Sequence, residues 1–229
     1  MLWKVPRMWE GGTCIIIGGG PSILKQFNVP DEIVSDVHVG KRQPSAYSPY
    51  LEPIHKHHVI AVNVAYKIGA WIDMMIFGDS STWSEDRKGI LEFRGLKVTC
   101  ADMLPQNSNS LKYLGRDPKK RKGGISTDHC LVGWNKNSGA AAMNLAVHTG
   151  VKRIILLGFD MRLDSSQNQH WHKFYTSPLN QTTSIFNKHL AGFPQIKKDL
   201  DALGIEVLNA NPDSAIEVFK KVNFKDIKL

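Results

Sequence analysis

The chain is poor in cysteine and has no long apolar segment. Its 229 residues include three cysteines, Cys14, Cys100 and Cys130, which lie far apart in the sequence. Cys14 and Cys100 lie inside apolar runs, where reduced, buried thiols are expected rather than a disulfide framework. No apolar run approaches the roughly 18 residues that a membrane-spanning helix needs, and we identify no signal peptide. These absences favour a soluble, cytoplasmic protein without a membrane span.

The dinucleotide-binding fingerprint is also missing. That motif requires G-x-G-x-x-G and an acidic residue at the end of the second strand, which binds the ribose hydroxyls. Here the glycine turn reads GGGPS at 18–22, and the second predicted strand, 58–63, ends in Asn63. A nicotinamide-dependent oxidoreductase is therefore disfavoured.

Metal-ligand spacing and sequence repeats are absent as well. His55, His57 and His58 lie close together, but no cysteine or acidic residue accompanies them at ligand spacing. We therefore predict no metal site. The chain has no internal repeat or low-complexity segment, and its hydrophobic fraction of 42% is that of a globular protein.

Basic residues outnumber acidic ones. There are 29 Lys and Arg against 21 Asp and Glu, a net charge of +8. This favours an anionic partner such as a nucleotide, a phosphate or a nucleic acid, although a generally basic surface is the alternative. The densest basic run, 116–122, could contact phosphates, with Tyr113 and Trp134 close enough in sequence to stack on a base. A solvated loop is the alternative for that run.

Short apolar segments alternate with helical ones, which is typical of a parallel sheet built from βαβ units. We predict an α/β fold: a single Rossmann-like domain over 1–229, with a mostly parallel sheet, helices on both faces and two loop insertions at about 28–57 and 102–124. The predicted strands are 13–18, 58–63, 74–77, 97–101, 154–159 and 205–210, with one more short strand within 126–134. The predicted helices are 21–27, 65–70, 84–93, 138–149, 184–203 with an irregularity at Pro194, and 215–221.

The stretch 137–160 is central to this prediction. Asn137 and Ser138 are typical N-cap residues, and Gly150 is placed to end the helix that they begin. The unbroken apolar run 154–159 is typical of a strand covered on both faces. It places Asp160 at the carboxyl end of a parallel strand, where ligands bind in open α/β sheets.

The glycine turn predicts an anion-binding site. Three glycines after the first strand allow close approach to a ligand and positive φ angles. Pro21 and Ser22 then begin a helix, whose N-terminus attracts anions. Asn63 and Asp79 fall at the ends of two further strands, on the same expected edge of the sheet.

Several of these motifs together resemble one superfamily. They are IIIGGGPS at 15–22, AVN at 61–63, the stretch 137–161 and LNANPDSA at 208–215. This combination resembles a phage-borne group similar to the MptE-like 6-hydroxymethylpterin diphosphokinases. It also resembles bacterial lipooligosaccharide sialyltransferases, which transfer sialic acid from CMP-sialic acid. The resemblance covers about 13–219, apart from the two insertions.

The sialyltransferase comparison implies a nucleotide site and a histidine base. Asp160 matches an acid of that family at the strand tip, Asp79 stands where the family has asparagine, and Arg162 replaces an aromatic residue. The implied catalytic residues are Asp160 and a histidine before the last long helix, for which His170, His172 and His189 are candidates. The implied nucleotide-binding residues are Gly18, Gly19, Gly20, Pro21, Ser22, Asn63, Asp79, Asn137, Ser138, Gly139 and Arg162.

Three functions are compatible with these features. The first is a glycosyltransferase with a CMP- or UDP-type nucleotide-sugar donor, a histidine base and an anionic acceptor such as DNA or polysaccharide. For this function Mg²⁺ is possible but not required. The second is diphosphate transfer from ATP, which needs Mg²⁺ held by carboxylates such as Asp79, Asp160 and Asp73. The third is a non-catalytic protein that binds a nucleotide or nucleic acid through the 116–122 run.

Overall fold

A parallel sheet organises the chain. The computed structural model describes residues 1–102, 104, 110–174 and 183–229. In chain order the strands are β1 (Thr13–Ile17), β2 (His58–Val62), β3 (Met74–Phe77), β4 (Leu96–Thr99), β5 (Leu111–Tyr113), β6 (Gly115–Arg116), β7 (Leu131–Val132), β8 (Arg153–Leu157), β9 (Glu206–Asn209) and β10 (Lys220–Lys221).

Helices connect most of these strands. The α-helices are α1 (Ser22–Gln26), α2 (Asp31–His38), α3 (Ser80–Glu92), α4 (Ser138–His148), α5 (Thr183–Leu190) and α6 (Phe193–Ala202). The more tightly wound 3₁₀ helices are Pro44–Ile54, Asn63–Ile68, Pro118–Lys120 and Phe224–Asp226. No helix of the described ranges is both long and apolar enough to cross a lipid bilayer.

The strand order creates a crevice beside the first strand. Eight strands pair in the order β10-β9-β8-β1-β2-β3-β4-β5, and all of these pairs are parallel. The chain winds outward from β1 to β5, then returns to β8 on the other side of β1. In open α/β sheets, ligands bind outside the carboxyl ends of the strands where the winding reverses. Here that position lies above the ends of β1 and β8.

Both faces of the sheet are covered. Along β1, Cys14 and Ile16 pack in the core that contains the inner residues of α4 and α6. Ile15 and Ile17 pack on the other face, with α1 and the 3₁₀ helix Pro44–Ile54. These four side chains are fully buried, which explains the unbroken apolar sequence of the strand. The predicted α/β fold, with a parallel sheet and helices on both faces, is confirmed.

The first insertion is not the loop that we predicted. Residues 28–57 form α2 and the 3₁₀ helix Pro44–Ile54. Tyr47, Leu51 and Ile54 lie three and four residues apart and are fully buried against the sheet. The prolines within this segment remove backbone donors and favour the 3₁₀ form, and they obscured the period in the sequence.

Other predictions need smaller corrections. In the second insertion β5 extends the main sheet and β6 pairs with β7, whereas 103 and 105–109 lie outside the described residues. The predicted helix at 65–70 is the 3₁₀ helix Asn63–Ile68, and that at 184–203 is two helices with Pro194 in the first turn of the second. The predicted helix at 215–221 is wrong: β10 pairs there with β9.

Candidate functional site

A cleft of about 300 Å³ opens at the carboxyl edge of the sheet. The turn after β1, the ends of β2, β3 and β8, the start of α4 and one side of α5 form its walls. Most residues implied by the sequence line it: Gly18, Gly19, Gly20, Asn63, Asp79, Asn137, Ser138, Gly139, Asp160, His170 and His189. Pro21, Ser22 and Arg162 line a neighbouring depression of about 220 Å³ instead. His172 does not line the cleft.

Contacts within the protein fix the glycine turn. Gly18 and Gly20 donate their N–H groups to Leu157 and Gly158, both at 2.8 Å, which ties the turn to β8. A Cβ atom on Gly19 would lie 2.6 Å from His170 Nδ1. We expected positive φ angles in this turn, but the left-handed glycine is Gly158, at φ +67°. The turn glycines are needed for close packing.

Asp160 links the glycine turn to the tip of β8. The side chain is buried, and Oδ2 accepts the Ser22 N–H at 2.9 Å. Oδ1 accepts the Ser22 hydroxyl and, at 2.9 Å, the Asn211 amide. Burial raises the pKa of Asp160, while the donors from Ser22 and Asn211 lower it. Ser22 therefore supports the cleft through Asp160 and does not face it.

Residues of the 208–215 motif donate hydrogen bonds to the backbone that follows β8. The Ser214 hydroxyl donates to the Phe159 carbonyl at 2.7 Å, and the Ala215 N–H donates to the Asp160 carbonyl at 2.9 Å. Ser214 and Asn211 are both buried. These polar side chains stabilise a turn beneath the cleft, where the sequence had suggested the start of a helix.

The start of α4 offers polar groups to the cleft. Asn137 is the N-cap, because its Oδ1 accepts the Gly139 N–H at 2.9 Å. Ser138 does not cap: its hydroxyl accepts the Gly78 N–H at 3.3 Å and joins α4 to the end of β3. Within the described residues, Asn137 Nδ2 and Asn63 Oδ1 are buried without a hydrogen-bond partner. Both residues line the cleft, so each atom has hydrogen-bonding capacity that the described residues do not use.

Backbone strain is concentrated around this cleft. Asn63, Asn135, Lys136 and Met161 all have positive φ angles, between 46° and 54°. Such conformations are uncommon for residues other than glycine and tend to occur at functional sites. Lys136 lines the cleft with an exposed side chain. Lys136 is not among the residues predicted from the sequence, where its one signal is its place beside the cap residue Asn137.

Two of the three candidate histidines reach the cleft. Burial lowers the pKa of His170 to about 4, while a hydrogen bond with the Gly19 backbone raises it. Burial also lowers the pKa of His189, while the Lys136 carbonyl and Asp79 raise it. Both imidazoles are therefore neutral at pH 7, and burial makes each a weaker base than a free imidazole.

His172 lies behind His170. Their ring centroids lie 5.1 Å apart in a stacked arrangement, and the His172 ring also stacks with the Phe174 ring at 5.3 Å. Its side chain is 5% exposed, and burial lowers its pKa well below the usual value, with a further lowering from the charges of His170, His38 and Lys67. The structure thus places His170 and His189, rather than His172, at the cleft.

Asp79 stands at the mouth of the cleft. Its side chain is open to solvent, yet the surrounding walls raise the pKa of the carboxyl by desolvation. The charges of Arg116 and His189 act in the opposite direction. Asp79 and Asp160 are the acidic residues that line this cleft among the described residues. Those residues contain no group of three or more His, Cys, Asp or Glu side chains placed to hold a metal ion.

Two residues of the basic run 116–122, Arg116 and Lys120, make contacts within the protein. Arg116 donates to the Gly78 carbonyl at 2.6 Å and to the Cys100 carbonyl at 2.8 Å, and its guanidinium lies 4.4 Å from the centre of the Trp134 ring. Lys120 pairs with Asp199 at 2.6 Å. These contacts engage Arg116 and place it over the Trp134 ring. The predicted binding of a phosphate and a base by this run stays a prediction. Lys119, Arg121 and Lys122 remain exposed.

Comparisons with known proteins reveal a shared fold. No family model matches the sequence, and no curated protein sequence matches it significantly. The MAf glycosyltransferase from Magnetospirillum magneticum AMB-1 aligns with 100% of this chain, with a TM-score of 0.58 and 11% identity. The chain spans 36% of the length of that protein. At this identity the likeness shows the fold.

A second solved structure is the sialyltransferase CstII from Campylobacter jejuni, in complex with a substrate analogue, cytidine-5′-monophosphate. It aligns with 93% of this chain and 85% of its own, at 13% identity and a TM-score of 0.49.

Proposed function

We propose that this protein is a glycosyltransferase-like enzyme that uses a CMP- or UDP-type nucleotide-sugar donor. One observation carries the proposal: the glycine turn, Asn63, the start of α4, Asp160 and two neutral histidines all line one cleft at the point where the sheet reverses. MAf, whose fold the chain shares, is a glycosyltransferase. The resemblance to phage-borne MptE-like proteins, and with it an origin in a phage, belongs to the same proposal.

The donor phosphate would bind at the start of α4. The N-terminus of an α-helix carries partial positive charge and free N–H groups, which bind phosphates. Lys136 adds a positive charge, and Asn137 Nδ2 is a buried donor that lines the same wall. Asn63 Oδ1 provides an acceptor for the nucleoside or the sugar. Donors fixed in this way stabilise the charge that grows on the departing phosphate.

A cleft histidine would activate the acceptor. The acceptor hydroxyl oxygen attacks the anomeric carbon, the bond from that carbon to the phosphate oxygen breaks, and the hydroxyl proton passes to the neutral imidazole. We favour His170, which lies against the glycine turn, with His189 of α5 as the alternative. The scheme needs no metal, although Mg²⁺ could assist the leaving phosphate. The acceptor would be an anionic polymer, either DNA or a polysaccharide.

Nucleotide binding is the first test. We expect CMP or UDP to raise the melting temperature without Mg²⁺, since a ligand at about one hundred times its Kd stabilises the folded state by about 2.7 kcal/mol. Thermal shift with CMP, UDP, GDP and ATP, each with and without Mg²⁺, measures this directly. If no nucleotide has an effect and DNA does, the enzyme proposal is wrong.

Substitution of the histidines is the second test. With a donor identified, His170→Ala should lower turnover by about 10²- to 10⁴-fold, the usual contribution of a general base, and should lower nucleotide affinity far less. His57→Ala is the matched control, because His57 precedes β2 at the opposite edge of the sheet. If only His189→Ala loses turnover, His189 rather than His170 is the general base. Full turnover in both variants would exclude a histidine base at this cleft.

One observation supports diphosphate transfer as a second candidate. Asp79 and Asp160 line the same cleft and could contribute to a Mg²⁺ site. However, both carboxylate oxygens of Asp160 already accept hydrogen bonds from Ser22 and Asn211. A strict requirement for ATP and Mg²⁺ in the thermal-shift experiment would favour this candidate. The exposed Lys119, Arg121 and Lys122 give the weaker case for a nucleic-acid-binding protein.

A further inference from the structure

The segment that carries His170 has little regular structure of its own. The described residues between Met161 and Phe174 form no helix or strand. Asp164 organises one turn there, because its Oδ1 accepts the N–H groups of Ser166 and Asn168 at 2.8 and 2.7 Å. That turn ends at Asn168, two residues before His170, and its bonds join only residues 164–168. The next anchoring contacts are made by Trp171, which follows His170 in the chain.

Trp171 is tied directly to the glycine turn. Its indole N–H donates to the Gly18 carbonyl at 3.0 Å, and its main-chain N–H donates to the Gly19 carbonyl at 2.9 Å. The side chain is fully buried. Because Trp171 follows His170 in the chain, these two bonds set where the His170 backbone meets the cleft. The His170 ring then lies so close to Gly19 that no side chain fits there.

The first insertion supports Trp171 from the other side. His38, the last residue of α2, has Nε2 2.9 Å from the Trp171 carbonyl, where it acts as a donor. Tyr47 meets the indole edge-on at 5.8 Å, and both rings are fully buried. The insertion thus packs against the residue next to His170.

We propose that Trp171 is a positioning residue: through its two bonds to the glycine turn, and with His38 and Tyr47 behind it, it holds His170 in the cleft. The 28–57 insertion then serves as a buttress for the candidate base. The part of this inference that concerns catalysis rests on the proposed function. The part that concerns the placement of His170 does not, and it can be tested without a substrate.

The test follows the titration of the His170 ring by NMR, with the signal assigned by its loss in His170→Gln. In the native protein burial keeps the pKa of His170 at about 4. Trp171→Phe keeps an aromatic ring but removes the indole donor. If Trp171 positions His170, the freed imidazole gains access to water, and its pKa should rise by at least about one unit toward the usual value near 6.5. His38→Ala, which removes the bond to the Trp171 carbonyl, should shift the pKa of His170 in the same direction.

Two controls separate positioning from general loosening. His148 is buried in the opposite core layer, and burial lowers its pKa, so its titration in the same spectra should not change. Trp9→Phe alters another buried tryptophan, which stacks on His58 in that layer, and should leave His170 unaffected. An unchanged His170 titration in Trp171→Phe overturns the proposal. Where that variant does not fold, an unchanged titration in His38→Ala overturns it.

Activity distinguishes this inference from the proposed function. If His170 titrates higher in Trp171→Phe, yet no nucleotide-sugar supports turnover in the native protein, the positioning stands and the proposed function falls. If turnover depends on His170 but its titration is the same in both variants, the function stands and the positioning falls.

Discussion

At the residue scale, small residues in this cleft make room for larger ones. Phe159 lies between Gly18 and Gly139, so a Cβ atom on either glycine would come within 3.1 or 2.7 Å of its ring. Gly20 is similar, since its Cβ would lie 2.5 Å from Asp160 Cγ. Residue identity in the turn is therefore set by partners that are distant in the sequence.

This contact predicts a non-additive pair of substitutions. Gly20→Ala alone should destabilise the protein by about 1–3 kcal/mol, because the added methyl group overlaps the Asp160 carboxylate. Asp160→Ala alone removes the acceptor for Ser22 and Asn211. In the double variant the overlap is gone, so its loss should be smaller than the sum of the two single losses. Denaturant unfolding of the four proteins measures this; strict additivity would contradict the packing argument.

At the element scale, α4 combines a structural cap with a candidate binding surface. The two polar atoms of the Asn137 side-chain amide have separate roles. Oδ1 caps the helix, and Nδ2 lines the cleft wall without a described partner. The helix is buried along almost its whole length, and alanines let it lie close to the sheet. Its N-terminus is thus held rigidly against the cleft.

Substitution at Asn137 can separate its capping role from its role in the cleft. Asn137→Asp keeps an oxygen acceptor for the cap, and a negative charge is favourable at a helix N-terminus, so stability should stay within about 0.5 kcal/mol of the native protein. The same change replaces the donor by an anion, so nucleotide affinity should fall at least about tenfold, or 1.4 kcal/mol. Asn137→Ala should lose about 1 kcal/mol of stability with the cap. Calorimetric titration and melting curves check both; unchanged affinity in Asn137→Asp would remove this atom from the site.

At the scale of the whole molecule, buried histidines link stability to pH. Burial lowers the pKa values of His148, His170, His172 and His189 in the folded protein. The unfolded chain takes up these protons near pH 6.5, while the folded protein resists them. Stability is therefore present above about pH 6.5 and is lost as the pH falls toward 4.

The melting temperature should fall accordingly when the pH is lowered from 7.5 to 5. We expect a decrease of at least roughly 3 °C, since 1 kcal/mol corresponds to about 2–4 °C for a chain of this size. Asp79 and Asp160, whose pKa values are raised by desolvation, act in the opposite direction, because the folded protein binds their protons more readily than the unfolded chain. A melting temperature that is constant or higher at pH 5 would show that the histidines are not buried as described.

Local patterns in the sequence were sufficient for the frame of the molecule. The unbroken apolar run of β8, the Asn137 cap and Gly150 in left-handed conformation after α4 follow from rules that involve residues a few positions apart. The parallel sheet with helices on both faces follows from their alternation, and the gathering of strand ends at one edge follows from the parallel sheet.

Only the tertiary structure decided which side chains face the cleft. Ser22 turns away from it to bond Asp160, 138 residues later, and His172 packs behind His170, although both histidines flank the same tryptophan. Arg116 lies over the Trp134 ring and donates to two backbone carbonyls. These outcomes depend on contacts between segments that are far apart in sequence, and the local pattern of a single chain carries no information about such contacts.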